Sequence, residues 1–179
     1  GVINGKACKL FVNMGTMGSP FSRETAAALA KKGIAWLDSP ISGGHAGAVA
    51  GTLSIMVSGP EEQFRRIEPI LALYGKTITY AGPEPGQAQT LKLVNNIMSC
   101  AAMAITSEAF VMGSKAGLDP EVMLKAVNGG SGANTATQGK IPNAVLTRSF
   151  DLGAAMHIIR KDADLALNVR SRMELGGDW

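Results

Sequence analysis

The chain has 179 residues, of which 46% are hydrophobic and 17% are charged, and its 17 basic and 14 acidic residues give a formal net charge of +3. This length and apolar content suffice to bury one ordinary domain or two small ones. The charges form no run of one sign that would follow a phosphate backbone, which argues against a nucleic-acid partner, and Cys8 and Cys100 are too few and too distant for a disulfide framework or a metal site.

Strand-like and helix-like segments alternate in the first half of the chain. Each short apolar run is followed by Gly or Pro, and each is separated from the next by a helical stretch. Such alternation is typical of an α/β fold with a largely parallel sheet. In chain order, the sequence predicts a strand over 9–14, a helix over 19–32, a strand over 34–37, a strand over 52–57, a helix over 59–73 and a strand over 76–80.

The second half of the chain has a different character, which begins after Pro83 and Pro85. Residues 86–116 predict one long helix rich in Ala and Met, and Asp119 before Pro120 is typical of the start of another. Further helices are predicted over 135–146 and 152–172. We therefore predict an α/β domain over 1–85 and an all-helical domain over 86–179, with the long helix between them.

The location of the protein is predicted from its apolar segments. The most apolar stretch, residues 97–105, is shorter than the roughly 20 residues that cross a bilayer. No charged-then-apolar signal sequence opens the chain. We expect a cytoplasmic protein with no membrane partner.

One segment with possible binding chemistry follows a predicted parallel strand, where open α/β sheets bind their ligands. It reads Asp-Ser-Pro-Ile-Ser-Gly-Gly over residues 38–44. Ser42 offers a hydroxyl, and Gly43 and Gly44 leave backbone N–H groups unshielded, so the segment can hold an anion such as a carboxylate. A plain surface turn is the simpler interpretation, because Gly is a common turn residue.

A second segment lies at the start of the long helix, where Lys92 and Asn96 are four residues apart and share one face. Lys92 could donate a proton to a carbonyl oxygen or, as a neutral amine, accept one from a hydroxyl. Either role requires its pKa to fall from about 10.4 toward roughly 7 to 8. Taken alone, a solvated surface lysine is the commoner case.

A third segment is a charged run in the last predicted helix, residues 160–162. Lys161 could approach a cofactor there, although spacing alone favours a hydrated charged face. His45 and His157 are far from each other and from any acidic cluster, so we predict no metal site.

In this order and spacing, these segments resemble the β-hydroxyacid dehydrogenases, the family of 3-hydroxyisobutyrate dehydrogenase, tartronate semialdehyde reductase and, more distantly, 6-phosphogluconate dehydrogenase. Residues 38–44 look like the family's Asp-Ala-Pro-Val-Ser-Gly-Gly substrate loop, and residues 51–57 continue it as expected. Lys92 with Asn96 looks like the catalytic lysine and its asparagine partner. Lys161 with Asp162 matches a pair whose lysine contacts the cofactor, and Thr16 falls where a Ser or Thr borders the nicotinamide.

The resemblance implies the carboxyl-terminal part of a Rossmann-type parallel sheet, followed by an all-α domain and connected by a long interdomain helix. It implies an oxidoreductase that transfers a hydride between NAD or NADP and a small β-hydroxy acid or its semialdehyde, with Lys92 as general acid and base. Ser42, Gly43 and Gly44 would bind the substrate, and Thr16 and Lys161 the cofactor. A homo-oligomer, such as a dimer, is expected.

The sequence departs from the family pattern in three ways. Ala88 replaces the second glycine of Gly-x-Gly-x-x-x-Lys, and Asn13 stands where Asp is common. The phosphate-binding Gly-x-Gly-x-x-Gly is missing, so we expect a fragment that lacks the amino-terminal part of the Rossmann domain and binds dinucleotide poorly by itself. Two alternatives remain open: a non-catalytic binding or oligomerisation module, and an imine or ketone reductase, against which the retained Lys92 argues.

Overall fold

The computed structural model describes residues 2–172 of the chain. Their contacts form two compact units, of which the first holds the described residues up to Asn95 and from Arg160 onward, and the second holds Asn96 to Ile159. After a short 3-10 turn, Val2–Asn4, the elements in chain order are β1 (Leu10–Asn13), α1 (Ser19–Ala30), β2 (Ala35–Asp38), β3 (Ile41–Ser42), α2 (Gly44–Ala50), β4 (Leu53–Ser58), α3 (Glu61–Leu71), β5 (Gly75–Gly82), α4 (Gln87–Lys115), α5 (Pro120–Asn128), a π-helix (Ala136–Val145) and α6 (Met156–Arg172).

The first unit is built on a five-stranded mixed sheet. Parallel pairing joins β1 to β2, where Asn13 lies opposite Asp38, and β4 to β5. Antiparallel pairing joins β4 to β3 and, at Asp38 and Ser58, to the end of β2. The segment 43–52 between β3 and β4 is shorter than the dozen or more residues that a parallel crossover needs, so β4 runs back antiparallel. The α/β class and the predominance of parallel pairing agree with the prediction.

The core of this unit lies between the sheet and α3. Its buried side chains come from β2, β4 and α3, and the Phe64 and Tyr80 rings stack with centroids 5.0 Å apart. Five of the six residues of β4 are buried, so this strand is covered on both faces, as the central strand of a layered α/β unit should be. The buried cluster consists of Leu37, Leu53, Ile55, Val57, Phe64 and Leu71.

The second unit contains helices only, which agrees with the all-helical character predicted for this part of the chain. α5 begins as expected: the Asp119 carboxylate accepts hydrogen bonds from the backbone N–H groups of Glu121 and Val122 at 2.8 and 3.0 Å. The next helix has the wider π-type spacing, with the Leu146 N–H donating to the Ile141 carbonyl five residues earlier.

The short helix α2 was not predicted. Its sequence, Gly-His-Ala-Gly-Ala-Val-Ala, contains two glycines, which lower helix propensity and weaken the local signal for a helix. The helix nevertheless ends at Gly51 in the left-handed conformation, with φ of 63°, which favours a helix end. As a result, Gly43 and Gly44 stand at the start of a helical turn instead of in an open loop.

Among the described residues, one helix, α4, is long and apolar enough to cross a membrane by length and composition. Of the most apolar 18-residue segment of α4, 11% is buried within the structure. The expectation of no membrane span rested on residues 97–105, which are only part of this helix. The finding is weak evidence for a span, because long helices of soluble proteins pass the same test.

Candidate active site

Lys92 is buried in α4, with 7% of its surface exposed. Its burial removes water from the ammonium group and lowers its pKa below the ordinary value near 10.5. Two charges act in addition: the Asp162 carboxylate raises the Lys92 pKa and the Lys161 ammonium lowers it. Since desolvation is the largest effect, the neutral amine is easier to form here than on a surface lysine. A neutral amine can accept a proton from a hydroxyl.

Asn96 lies one helical turn after Lys92 in the same helix and is half-buried. Residues four apart on a helix share a face, so the predicted arrangement of these two positions follows from the helix itself.

The predicted substrate loop is connected to α4 by a neighbouring asparagine. Asn95 Nδ2 donates a hydrogen bond of 3.3 Å to the Ser42 hydroxyl oxygen. A hydroxyl that accepts at its oxygen can still donate its own proton, so Ser42 can bind an anion while Asn95 holds it. Asn95 was not predicted as a site residue, and its position directly before Asn96 is its one signal in the sequence.

The two glycines after Ser42 both have positive φ angles, 129° at Gly43 and 60° at Gly44. A Cβ at Gly43 would lie 3.2 Å from Leu53 Cδ2, so both conformation and space favour glycine there. Both glycines are exposed at the start of α2, where backbone N–H groups have no partner within the helix. This geometry is suited to a carboxylate.

The two predicted cofactor residues meet in the structure. Lys161, in α6, donates a hydrogen bond of 2.6 Å from Nζ to the Thr16 carbonyl oxygen. The same ammonium lies 2.7 Å from Asp162 Oδ1. Thr16 belongs to the loop that leaves the carboxyl end of β1, so a cation stands beside the place where parallel strands usually present a ligand.

A buried polar cluster joins these segments, and sequence reasoning did not find it. Asp38 and Gln89, neither of which has exposed surface, are hydrogen-bonded at 3.0 Å between Asp38 Oδ1 and Gln89 Nε2. Gln89 also bonds the loop that contains Thr16. The one sequence signal was the three-residue spacing from Gln89 to Lys92, which gives them neighbouring positions on α4.

Comparison with known proteins identifies the family. The protein-family model described as "NAD-binding of NADP-dependent 3-hydroxyisobutyrate dehydrogenase" matches residues 86–176, which is more than half of the chain. The model for the NAD-binding domain of 6-phosphogluconate dehydrogenase matches residues 2–82. The chain belongs to the β-hydroxyacid dehydrogenase family.

Individual members of the β-hydroxyacid dehydrogenase family resemble the chain over most of its length. It is 38% identical to 2-(hydroxymethyl)glutarate dehydrogenase of Eubacterium barkeri, over 93% of the chain and 58% of that protein. It is also 38% identical to 3-hydroxyisobutyrate dehydrogenase of Pseudomonas aeruginosa, over 88% and 55%. A solved 3-hydroxyisobutyrate dehydrogenase from Mycobacterium tuberculosis, with L-serine, has a TM-score of 0.84 at 28% identity, covering 96% of this chain and 61% of that one. The chain thus spans a little over half the length of these relatives.

For a β-hydroxyacid dehydrogenase, the residues at the end of β1 are suited to a nicotinamide. Asn13 Nδ2 is buried and has no hydrogen-bond partner among the described residues. An unsatisfied buried donor is costly unless a ligand or water pairs with it, and the carboxamide of a nicotinamide offers an acceptor. Lys161 donates its hydrogen bond to Thr16 in the loop that follows β1. The residues present at this position therefore fit the nicotinamide end of a dinucleotide.

Proposed function

We propose that the protein is an NAD- or NADP-dependent dehydrogenase that oxidises a small β-hydroxy acid. In the reverse direction it would reduce the corresponding semialdehyde. The observation that carries this proposal is Lys92: a buried lysine with a lowered pKa, three residues before Asn95, whose side chain donates a hydrogen bond to Ser42. A lysine of this kind can accept the hydroxyl proton while the cofactor takes the hydride, which is the role that the resemblance to the β-hydroxyacid dehydrogenases implies for Lys92.

In the proposed oxidation, the substrate carboxylate binds to the Ser42 hydroxyl and to the N–H groups of Gly43 and Gly44. The hydroxyl on the β carbon donates its proton to neutral Lys92, with Asn96 orienting that hydroxyl. Bound NAD or NADP supplies the acceptor for the hydride that leaves the same carbon, so a carbonyl forms. In reduction, the Lys92 ammonium returns the proton to the carbonyl oxygen.

The cofactor side of the site would be held by Thr16, Lys161 and Asn13. Lys161 places positive charge beside the Thr16 carbonyl, which favours a group that carries phosphate or a carboxamide oxygen. The unpaired Asn13 Nδ2 would donate to the carboxamide. In this arrangement the loop over residues 15–18 borders the nicotinamide.

The larger organisation is part of the same proposal. Residues 1–85 would supply the dinucleotide-binding part and residues 86–179 the helical part, in a cytoplasmic homo-oligomer. Exposed apolar side chains along α4, including Met98, Ile105 and Met112, support an oligomer, because such faces are usually covered in solution.

The two alternatives gain no support from a specific observation. A non-catalytic module gives no reason to bury a lysine, which costs free energy. An imine or ketone reductase conflicts with the names of the relatives at 38% identity, which are hydroxy-acid dehydrogenases.

The proposal is tested on the protein expressed from the complete reading frame. NAD⁺ and NADP⁺ are each offered with 3-hydroxyisobutyrate, L-serine and 2-(hydroxymethyl)glutarate, which share a carboxylate and a hydroxyl on the β carbon. We expect reduction of at least one dinucleotide, followed at 340 nm, with at least one of these acids. Isobutyrate, which has no hydroxyl, is the matched control, and a cyclic imine with NADPH tests the reductase alternative. No turnover of any hydroxy acid, together with no change in NADH or NADPH fluorescence, would overturn the proposal.

A further inference from the structure

We infer that Gln89 is a positioning residue that fixes the loop over residues 15–18 relative to Lys92. The inference rests on the proposed function, in which this loop borders the nicotinamide and Lys92 moves the proton. Gln89 itself touches neither reacting group. Its role would be to set the distance between them.

The Gln89 amide uses its whole hydrogen-bonding capacity in this position. Its oxygen accepts from the backbone N–H groups of Met17 and Gly18 at 2.9 and 3.2 Å. Its nitrogen donates to the Gly15 carbonyl at 2.9 Å and to Asp38 Oδ1 at 3.0 Å. A primary amide offers two donors and two acceptor sites, and all four are occupied. The bonds to Gly15 and Met17 hold Thr16 from both sides.

Asp38 anchors this amide to the sheet and to the start of α4. Besides Gln89, its Oδ1 accepts from the Ser22 hydroxyl at 2.6 Å, and its Oδ2 accepts from the Gly86 N–H at 2.7 Å. The Ser58 hydroxyl oxygen accepts from the Ala88 N–H at 2.9 Å. The side chains of Asp38 and Ser58, both buried in the sheet, thus accept hydrogen bonds from N–H groups at the beginning of α4. The first N–H groups of a helix have no acceptor within the helix itself. The first turn of α4 is therefore fixed to β2 and β4.

Lys92 follows Gln89 by three residues in the same helix. The Lys92 backbone is therefore separated from the loop over residues 15–18 by one helical turn and by the fully hydrogen-bonded side chain of Gln89. Hydride transfer depends steeply on the approach of donor and acceptor carbons, and a displacement of 1 Å costs on the order of 100-fold in rate. A loop released from Gln89 should therefore lower kcat and weaken dinucleotide binding, while the loop at Ser42, which has its own contact to Asn95, should bind the hydroxy acid as before.

The test variant is Gln89→Met, because methionine has a shape similar to that of glutamine and forms no amide hydrogen bonds. The control variant is Gln87→Met. Gln87 lies two residues before Gln89 and is exposed. Its side-chain oxygen accepts a hydrogen bond of 2.9 Å from the backbone N–H of Glu84, three residues earlier. In the complete protein, hydrogen exchange at Met17 and Gly18 should accelerate at least about tenfold in Gln89→Met and stay unchanged in Gln87→Met.

Steady-state kinetics separates positioning from simple destabilisation. For Gln89→Met we expect kcat to fall on the order of 100-fold and KM for the dinucleotide to rise, with KM for the hydroxy acid within about threefold of wild type. Gln89→Asn, which keeps an amide one methylene shorter, should show a smaller change in each quantity and carries the test if the Met variant does not fold. Unchanged exchange, or changed exchange with wild-type kcat and dinucleotide KM, would overturn the inference. The exchange measurement needs no substrate, so an inactive wild type would overturn the proposed function alone.

Discussion

Lys161 Nζ lies 2.6 Å from the carbonyl oxygen of Thr16, although 145 residues separate the two in the sequence. The same ammonium is paired at 2.7 Å with Asp162, whose carboxylate acts on the pKa of Lys92. A cation, an anion and a buried lysine therefore share one electrostatic environment. A change at either end of the Lys161–Asp162 pair should be measurable at Lys92.

Lys161→Met should raise the pKa of Lys92, because the Lys161 charge lowers it in the native protein. The limb of the pH profile of kcat/KM for oxidation that reports deprotonation of Lys92 would then move to higher pH. KM for the dinucleotide should rise as well. The control is Arg160→Met, which removes an 86% exposed cation whose own partner, Asp164, lies 3.9 Å away. A profile that moves equally in both variants would contradict the specific role of Lys161.

Asp162→Asn should move the same limb in the opposite direction. The Asp162 carboxylate favours the ammonium form of Lys92, so its loss lets the amine form at lower pH. The measurement is again kcat/KM for oxidation against pH, compared with wild type at one ionic strength. A shift to higher pH would show that the carboxylate does not act on Lys92 as the geometry indicates.

Lys92→Met should make the folded protein more stable at neutral pH. Burial lowers the folded-state pKa of Lys92 below its unfolded value, so the unfolded state binds more protons between the two pKa values and wild-type stability rises with pH there. The stability difference between variant and wild type is therefore largest below the folded pKa and shrinks as pH approaches about 10.4. Urea unfolding at several pH values measures this. A difference independent of pH would contradict it.

Two buried serines should respond to truncation with opposite signs. The Ser39 hydroxyl is buried and has no hydrogen-bond partner among the described residues, whereas the Ser22 hydroxyl donates to Asp38 at 2.6 Å. Ser39→Ala should stabilise the protein by about 1 kcal/mol, and Ser22→Ala should destabilise it by about 1.5–3 kcal/mol, because its partner is a charged acceptor. Urea unfolding of the two variants compares them. Destabilisation by Ser39→Ala would mean that its hydroxyl is satisfied in solution.

Four of the five strands and most helices could be predicted because their signals are local, whereas the two-residue strand β3 was not predicted. Apolar runs marked β1, β2, β4 and β5, and Asp119 before Pro120 marked the start of α5. The helix α2 was missed because its glycines weaken the local signal, and it forms through its left-handed end at Gly51. The antiparallel course of β4 depends on the length of the connection before it, which no single segment reveals.

The candidate site divides in the same way. Ser42, Lys92 and Lys161 were predicted as site residues from an ordered set of motifs. Gln89 and Asn95 could not be predicted in this way, because the role of an amide side chain depends on its hydrogen-bond partners. Those partners, Met17 and Ser42, lie 72 and 53 residues away in the sequence. The burial that lowers the pKa of Lys92 likewise arises only when the chain is folded.

The most direct measurement is the turnover of Lys92→Met in the complete protein, with the hydroxy acid that the wild type oxidises fastest. Removal of a general acid and base should lower kcat by 10²- to 10⁴-fold, as an order of magnitude, while the variant stays folded and still binds dinucleotide. The wild-type kcat/KM for oxidation should rise with pH through a pKa below 10.5 that is absent in the variant. Turnover close to wild type with the same pH profile would contradict the assignment of Lys92 as the proton-transferring group.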